Sequence, residues 1–436
     1  MHFSKIFYVV LSAILVTIFM LIIYIFPSFN STDSREGKAV KIYFADNISP
    51  AHRKLINLFN EKYKGQIEVI PLDLPFSKFS TNDRKELLAR YFRSKSDRID
   101  VFSVDQIWVP RFAKWAIPLN EYFPDSVKTT ILKYALKTCN YNDTLIAIPL
   151  YIDIALMYYR KDLINQLSNS KQVVAKLKNS ITWEDLITLN NKFPKNPLFV
   201  FQADDFEGLI CMYTEILANM KGKLMQGDSL ILKTPQAEKA LQFLADLVNK
   251  YKISPQNVLR FKEDDSYNYY LQNNGVFLRG WTGLFKNNKI GSNYLSMNDS
   301  IGEVPTPHLK GSKPISVFGG WDLMVSKFST KIPQSICFVQ FLMSQEAQKI
   351  LFEEGGYIPI NNSIYKDSLY IAKNPELLFY VSLLKNGIYR PFSEQYTNVS
   401  DVLSYYVNLA IKGSLSPHDA LQKADDKLNS KSILLK

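Results

Sequence analysis

The 436-residue sequence carries 52 Lys and Arg against 41 Asp and Glu, a net charge of +11, and is 47% hydrophobic and 13% aromatic. A chain of that composition can bury large cores and is not disordered. Its lysines are scattered, with no arginine-rich or aromatic-interleaved basic run, so nucleic acid is excluded as a partner and a solvated surface facing an anionic membrane accounts for the charge.

Ile6 to Phe26 forms 21 residues without a charge, preceded by Lys5. A helix of about 20 apolar residues spans a hydrocarbon core. The run is longer than the usual apolar stretch of a cleaved signal peptide, and Pro27-Ser28-Phe29-Asn30 offers no small-x-small cleavage site. We read an uncleaved single-pass anchor with the body on the extracytoplasmic side, periplasm or cell surface, over the alternative of a cleaved signal peptide. The basic residue on the short N-terminal side agrees with that orientation. Ser31 to Lys38 is a polar tether, and the roughly 400 residues beyond it suit about two domains.

Val40 to Ala45 reads as a first strand. Ser49-Pro50 starts a helix, with Ser as cap and Pro at the first helical position, and Ala51, Leu55, Leu58 and Phe59 recur at helical spacing. Ile67 to Leu72 is a second strand, Lys85 to Phe92 a helix and Ile99 to Ser103 a third strand. Strands alternating with helices imply parallel pairing, and ligands of such sheets bind beyond the carboxyl ends of strands. Asp46 and Asp105-Gln106 fall at two such ends.

A second lobe begins near Tyr151. Thr182-Trp183-Glu184-Asp185 is a capping-box-like start, and Thr234-Pro235 opens a helix with Ala237, Ala240, Leu241, Leu244, Leu247 and Val248 on one face. Gly275 to Leu278 is a short strand leading to Arg279-Gly280-Trp281. Phe318-Gly319-Gly320-Trp321 sets bare backbone beside a large aromatic. Leu323 to Ser326 reads as a buried strand, Ile332 to Leu342 as a core helix, and a further helix from Ser344 stops at Gly355-Gly356. The tail from Ser416 is helical. Cys139, Cys211 and Cys337 are too few and too far apart for a disulfide framework or a zinc site and read as buried small hydrophobes. His2, His52, His308 and His418 show no metal-ligand spacing. No metal and no cofactor is implied.

In this order the segments resemble the family 1 extracellular solute-binding proteins of carbohydrate ABC importers, above all the maltose/trehalose-binding branch. The resemblance runs from about Val40 to Leu421. It is carried by VFSVDQIWVPRFAKW (101–115), IPLYIDIALMYYRKDLI (148–164), ITWEDL (181–186), FEGLICMYTEIL (206–217), GVFLRGWTGLF (275–285), the Gly-Gly-Trp segment and RPFSEQY (390–396). The sequence departs from the family at Trp115-Ala116 and at Asn179-Ser180, and it lacks the lipidated cysteine of Gram-positive relatives.

The resemblance implies an α/β fold with two lobes, periplasmic-binding-protein-like of type II. Each lobe is a sheet flanked by helices, and the pair follows an N-terminal transmembrane helix. The divisions are 1–37 for anchor and tether, 38–150 with 304–352 for the first lobe, and 151–303 with 353–436 for the second. Crossings near Leu150, Glu303 and Leu351 form a hinge whose closure would cover the ligand and present a surface to a transporter. The implied partners are an oligosaccharide, the permease subunits of an ABC importer and the membrane. The body is expected to be a monomer.

Trp281 and Trp321 beside glycine can be core residues or stacking platforms for the apolar C–H face of a sugar ring; the resemblance favours the platform, with Gly320 supplying bare backbone. Asp105, Asp153 and Glu207 can accept charge-assisted bonds from adjacent hydroxyls or can cap helices and pair with cations. The resemblance turns Asp105 and Asp153, then Glu207 and Gln106, toward the ligand. Arg390 can donate two bonds into a cleft or pair with an acid, Tyr151 and Tyr357 are candidate rim aromatics, and Asp46 joins the set from its strand end. Trp108, Trp115 and Trp183 are expected to pack. Signalling to a histidine kinase or chemoreceptor is the alternative output of such a receptor. A glycoside hydrolase would need a second acid across the cleft from the Asp204, Asp205 and Glu207 cluster, and no motif places one, so no enzyme activity is expected.

Overall fold

The computed structural model describes residues 39–75, 78–226, 229–284, 297 and 299–433. The expected membrane span Ile6–Phe26 lies outside the described residues. Among the described residues no helix is long and apolar enough to cross a membrane.

The first half of the chain alternates as its sequence predicts. Strand β1 (Val40–Asp46) leads to helix α1 (Pro50–Lys62), whose cap Ser49 accepts from the His52 amide. The buried stripe is His52, Leu55, Ile56 and Phe59 at i, i+3, i+4 and i+7. Leu58, expected inside, is 38% exposed because Ile56 occupies the core-facing position. β2 (Ile67–Asp73) follows, then α2 (Thr81–Arg93), which starts four residues earlier than its apolar spacing predicts. The reason is a reciprocal capping box, in which the Ser80 side chain meets the Asp83 amide and the Asp83 carboxylate meets the Ser80 amide. β3 (Val101–Asp105) completes a parallel trio in the order β2-β1-β3.

Two long strands bind the two lobes into one sheet. β4 (Ile148–Arg160) is 13 residues long, where the sequence suggested a boundary at Tyr151. Further along the chain are α3 (Trp183–Thr188), β5 (Phe199–Val200), α4 (Glu207–Asn219), α5 (Pro235–Asn249) and α6 (Glu263–Gln272). β6 (Phe277–Trp281) and β7 (Ile301–Val304) both pair antiparallel with the second half of β4. β6 begins two residues later than expected, because Gly275 turns back to bond the Tyr270 carbonyl at the end of α6.

β8 (Ser316–Val325) then runs antiparallel to β3 through Trp321–Val325 and to β4 through Phe318–Leu323. Its first residues, Ser316 and Val317, pair with β9 (Gly387–Ile388). The nine-stranded sheet has the order β2-β1-β3-β8-β4-β6-β5, with β7 on β4 and β9 on β8. Helix α7 (Ile332–Leu342) follows, then α8 (Gln345–Gly355), which ends on Gly356 at φ +68°, the glycine stop that the sequence predicts. α9 (Tyr396–Ile411) and α10 (Pro417–Ile433) close the chain.

The cores are aromatic. Phe59 meets Phe338 and Phe341 edge-on at 5.0 and 5.3 Å, and Phe338 meets Phe44 at 5.3 Å, clamping α1 and α7 onto β1. Trp108 and Trp183 are fully buried, and Trp115 stacks on Phe92 at 5.9 Å. Cys139 and Cys211 are buried and Cys337 is partly so; all three are free thiols.

Candidate functional site

A cavity of about 280 Å³ opens beyond Asp105, at the carboxyl end of β3, where β8 and β4 pass from one half of the sheet to the other. The pairing of β8 with β4 slips between Trp321 and Asp322, a bulge of the kind that re-aims side chains beside binding sites. Gly320 holds φ +133°, and a Cβ there would come 2.7 Å from the Tyr151 carbonyl oxygen. Only glycine fits that approach.

Of the expected residues, Asp105, Tyr151, Asp153, Glu207, Trp281, Gly320, Trp321, Tyr357 and Arg390 all line this cavity. They come from seven separate stretches of chain. The two indoles each carry a guanidinium: Arg84 lies 3.9 Å from the Trp321 ring centre and Arg279 lies 4.5 Å from that of Trp281. Such cation–π contacts hold the ring planes. Trp108 also meets Trp321 edge-on at 6.3 Å. Arg279 is itself held by Glu215 at 3.0 Å in the second-half core. Tyr151 and Tyr357 stack on each other at 4.1 Å.

Arg390 organises the acids. Its guanidinium donates to Asp105 at 2.8 Å and to Glu207 at 2.8 Å, and it is almost fully buried. Glu207, at the first turn of α4, also accepts from Tyr396 at 2.9 Å and from the Ser400 hydroxyl. Burial raises the Glu207 carboxyl above the ordinary range, opposed by the Arg390 charge. Glu207 is therefore occupied with orienting Arg390. Asp153 on β4 accepts from the Thr282 hydroxyl next to Trp281.

Two expected residues do not line the cavity. Asp46 is buried against Arg84 at 2.7 Å and His52 at 3.5 Å, so it anchors the arginine that stacks on Trp321. Gln106 is buried in the turn after β3 and accepts from Thr138 at 3.4 Å, because that turn folds back into the core.

Other lining residues escaped the sequence reading. Ser80, Thr81 and Asp83 come from the start of α2, and Lys262, Glu263, Asp264 and Asp265 from the start of α6. The Ser-x-x-Asp spacing at Ser80 marks a helix start; that this start faces a cavity is set by packing. Thr282 and Gly319 adjoin named residues and were within reach of the same reasoning. Gly319 matters sterically: a Cβ on it would come 2.8 Å from Cζ3 of Trp281. Among the described residues no group of three His, Cys, Asp or Glu side chains is disposed to hold a metal ion.

The chain is similar to a probable ABC transporter-binding protein of Deinococcus radiodurans, 25% identical over 359 residues, covering 79% of this chain and 83% of the relative. Among solved structures it is similar to maltose-bound MalE3 of T. maritima, with a TM-score of 0.79, 26% identity, and 90% and 99% of the two chains covered. An ABC transporter solute-binding protein of Thermotoga lettingae bound with α-D-tagatose shares the fold at a TM-score of 0.77, with 23% identity and 90% and 99% of the two chains covered. Family and fold are those of binding proteins, with a mixed α/β two-lobed architecture and an extracytoplasmic body. Matched over residues 54–378, the chain belongs to the bacterial extracellular solute-binding protein family.

Proposed function

We propose that this protein captures an oligosaccharide between its two lobes and delivers it to an ABC importer. The observation that carries this reading is the pair of indoles, Trp281 and Trp321, lining one cavity with the Asp153 carboxylate and the Arg390 fork. Sugar rings present apolar C–H faces to indoles, and their adjacent hydroxyls suit a carboxylate acceptor and a guanidinium donor. The likeness to maltose-bound MalE3 and to a probable ABC transporter-binding protein supports the same ligand class and partner.

We assign ligand contacts to Trp281, Trp321, Asp153, Tyr151, Tyr357 and the backbone at Gly320, with Asp105 and Glu207 acting through Arg390. The sequence reading divides the lobes as 38–150 with 304–352 and 151–303 with 353–436, its second crossing near Glu303. The pairing of 301–304 with β4 and of 316–317 with β9 favours placing the second crossing within β8, at Phe318 to Trp321. The receptor acts as a monomer held to the membrane by Ile6–Phe26.

Titration calorimetry with maltose, trehalose and maltotriose tests the ligand. Micromolar binding requires about 8 kcal/mol. Trp321→Ala should weaken it by tenfold or more while the fold is retained. A wild-type protein that binds none of these sugars, or a variant that binds as well as wild type, would overturn the reading. Retention of the full chain in vesicles through a high-salt wash tests the anchor.

A further inference from the structure

The lysines that look scattered in sequence gather at one end of the molecule. β1, β2 and β3 are parallel, so the turns that precede them share a pole opposite the cavity. Lys62 ends α1 and Lys64 lies in the turn before β2, whose Gln66 carbonyl accepts from the Val40 amide. Arg93 ends α2, and Lys95 and Arg98 lie in the turn before β3. The Asp100 amide donates to the Tyr43 carbonyl, which sets the end of that turn beside the middle of β1.

β8 runs the other way and ends at the same place, pairing Val325 with Val101, so that Lys327 joins the group. All six cations are exposed, against the exposed carboxylates Glu61 and Asp97. Arg93 alone among them has a carboxylate neighbour among the described residues, Glu86 at 3.9 Å. Tyr91, 41% exposed, and Phe328, beneath Lys327 at 5.5 Å, add aromatic side chains of the kind that sit at headgroup depth.

β1 begins at this pole, so the chain that leads back to Ile6–Phe26 departs from it. Residues 27–39 can extend no further than about 45 Å. We infer that this basic pole is a docking surface for an anionic lipid bilayer, resting the first lobe on the headgroups with the cavity at the opposite end of its strands. The inference rests on the extracytoplasmic, membrane-anchored reading above. Juxtamembrane cations are drawn to anionic leaflets, and the attraction is screened as the Debye length falls from about 10 Å at 0.1 M salt to about 3 Å at 1 M.

The test uses the full chain in vesicles of phosphatidylcholine alone or mixed with phosphatidylglycerol, with no transporter present. Lysine acetylation is followed residue by residue by mass spectrometry. In anionic vesicles at low salt, Lys62, Lys64, Lys95 and Lys327 should react on the order of threefold more slowly than in neutral ones. The difference should vanish in 0.5 M salt and in the Lys95→Glu, Arg98→Glu, Lys327→Glu triple variant, while exposed Lys171, Lys178 and Lys239 are unaffected throughout. Equal reactivity in both vesicles, or slowing spread evenly over all lysines, would overturn the inference. Failure of the anchor reading is read separately, as loss of the chain from both vesicle types in high salt. Pole-lysine protection confined to anionic vesicles would support the docking surface even then.

Discussion

Arg390 and Asp105 lie 285 positions apart in the chain and meet at 2.8 Å, with the same guanidinium reaching Glu207. Both acids share that one buried cation as their ion-pair partner. Removing one partner of a buried ion pair costs about 3–5 kcal/mol, because the other is left uncompensated. Arg390→Met should lower unfolding free energy by about that amount in urea denaturation at pH 8. The loss should shrink toward acid pH, where the orphaned Glu207 carboxyl, already raised by burial, takes up a proton. Arg390→Lys keeps a charge without the planar fork and should fall between the two.

Gly319 gives Trp281 its place. An alanine there would meet the indole at 2.8 Å and the Asp153 Cβ at 3.0 Å. Gly319→Ala should therefore shift Trp281 and weaken sugar binding by about tenfold, or about 1.4 kcal/mol, with little change in melting temperature. Calorimetry beside a thermal melt separates the two effects.

Gly320 is a backbone requirement rather than a contact. At φ +133°, with Tyr151 oxygen 2.7 Å from a would-be Cβ, Gly320→Ala should cost about 1–3 kcal/mol of stability. Denaturation of the sugar-free protein should register that loss, in contrast to Gly319→Ala.

Asp322 sits one residue beyond Trp321, buried, and burial pushes its carboxyl up to about 8, with the Asp105 charge adding to the shift and the Thr138 bond opposing it. In the unfolded chain the group loses its proton near the ordinary value of about 4. Between those two values the folded state holds a proton that the unfolded state has released. Its contribution to stability is therefore full below about pH 4 and is lost as the pH rises through about 8. Asp322→Asn should remove this fall, leaving the variant more stable than wild type at pH 8.5 and closer to it at pH 5. Urea midpoints at the two values check this.

Much of the element order was legible because its signals are local. Ser49-Pro50, Thr182, Thr234-Pro235 and Gly355-Gly356 each act on backbone groups within one helical turn, and the structure caps or stops helices at each. Where the reading went astray, a distant partner decided. The boundary expected at Tyr151 falls inside β4, because both halves of that strand find antiparallel neighbours in β8 and β6. Asp46 stands at the strand end that a ligand would favour, but the buried Arg84 claims it.

By itself the sequence determined the element order, the helix caps, the glycines around Trp321 and the residue types able to stack on and bond a polyhydroxyl ligand, since these follow from periodicity, backbone freedom and side-chain chemistry. Tertiary structure alone decided which acids Arg390 holds, which helix starts face the cavity, and that cations spread along the chain share one pole. Parallel strands put every turn that precedes them at the same end, and no local pattern records which turns those will be.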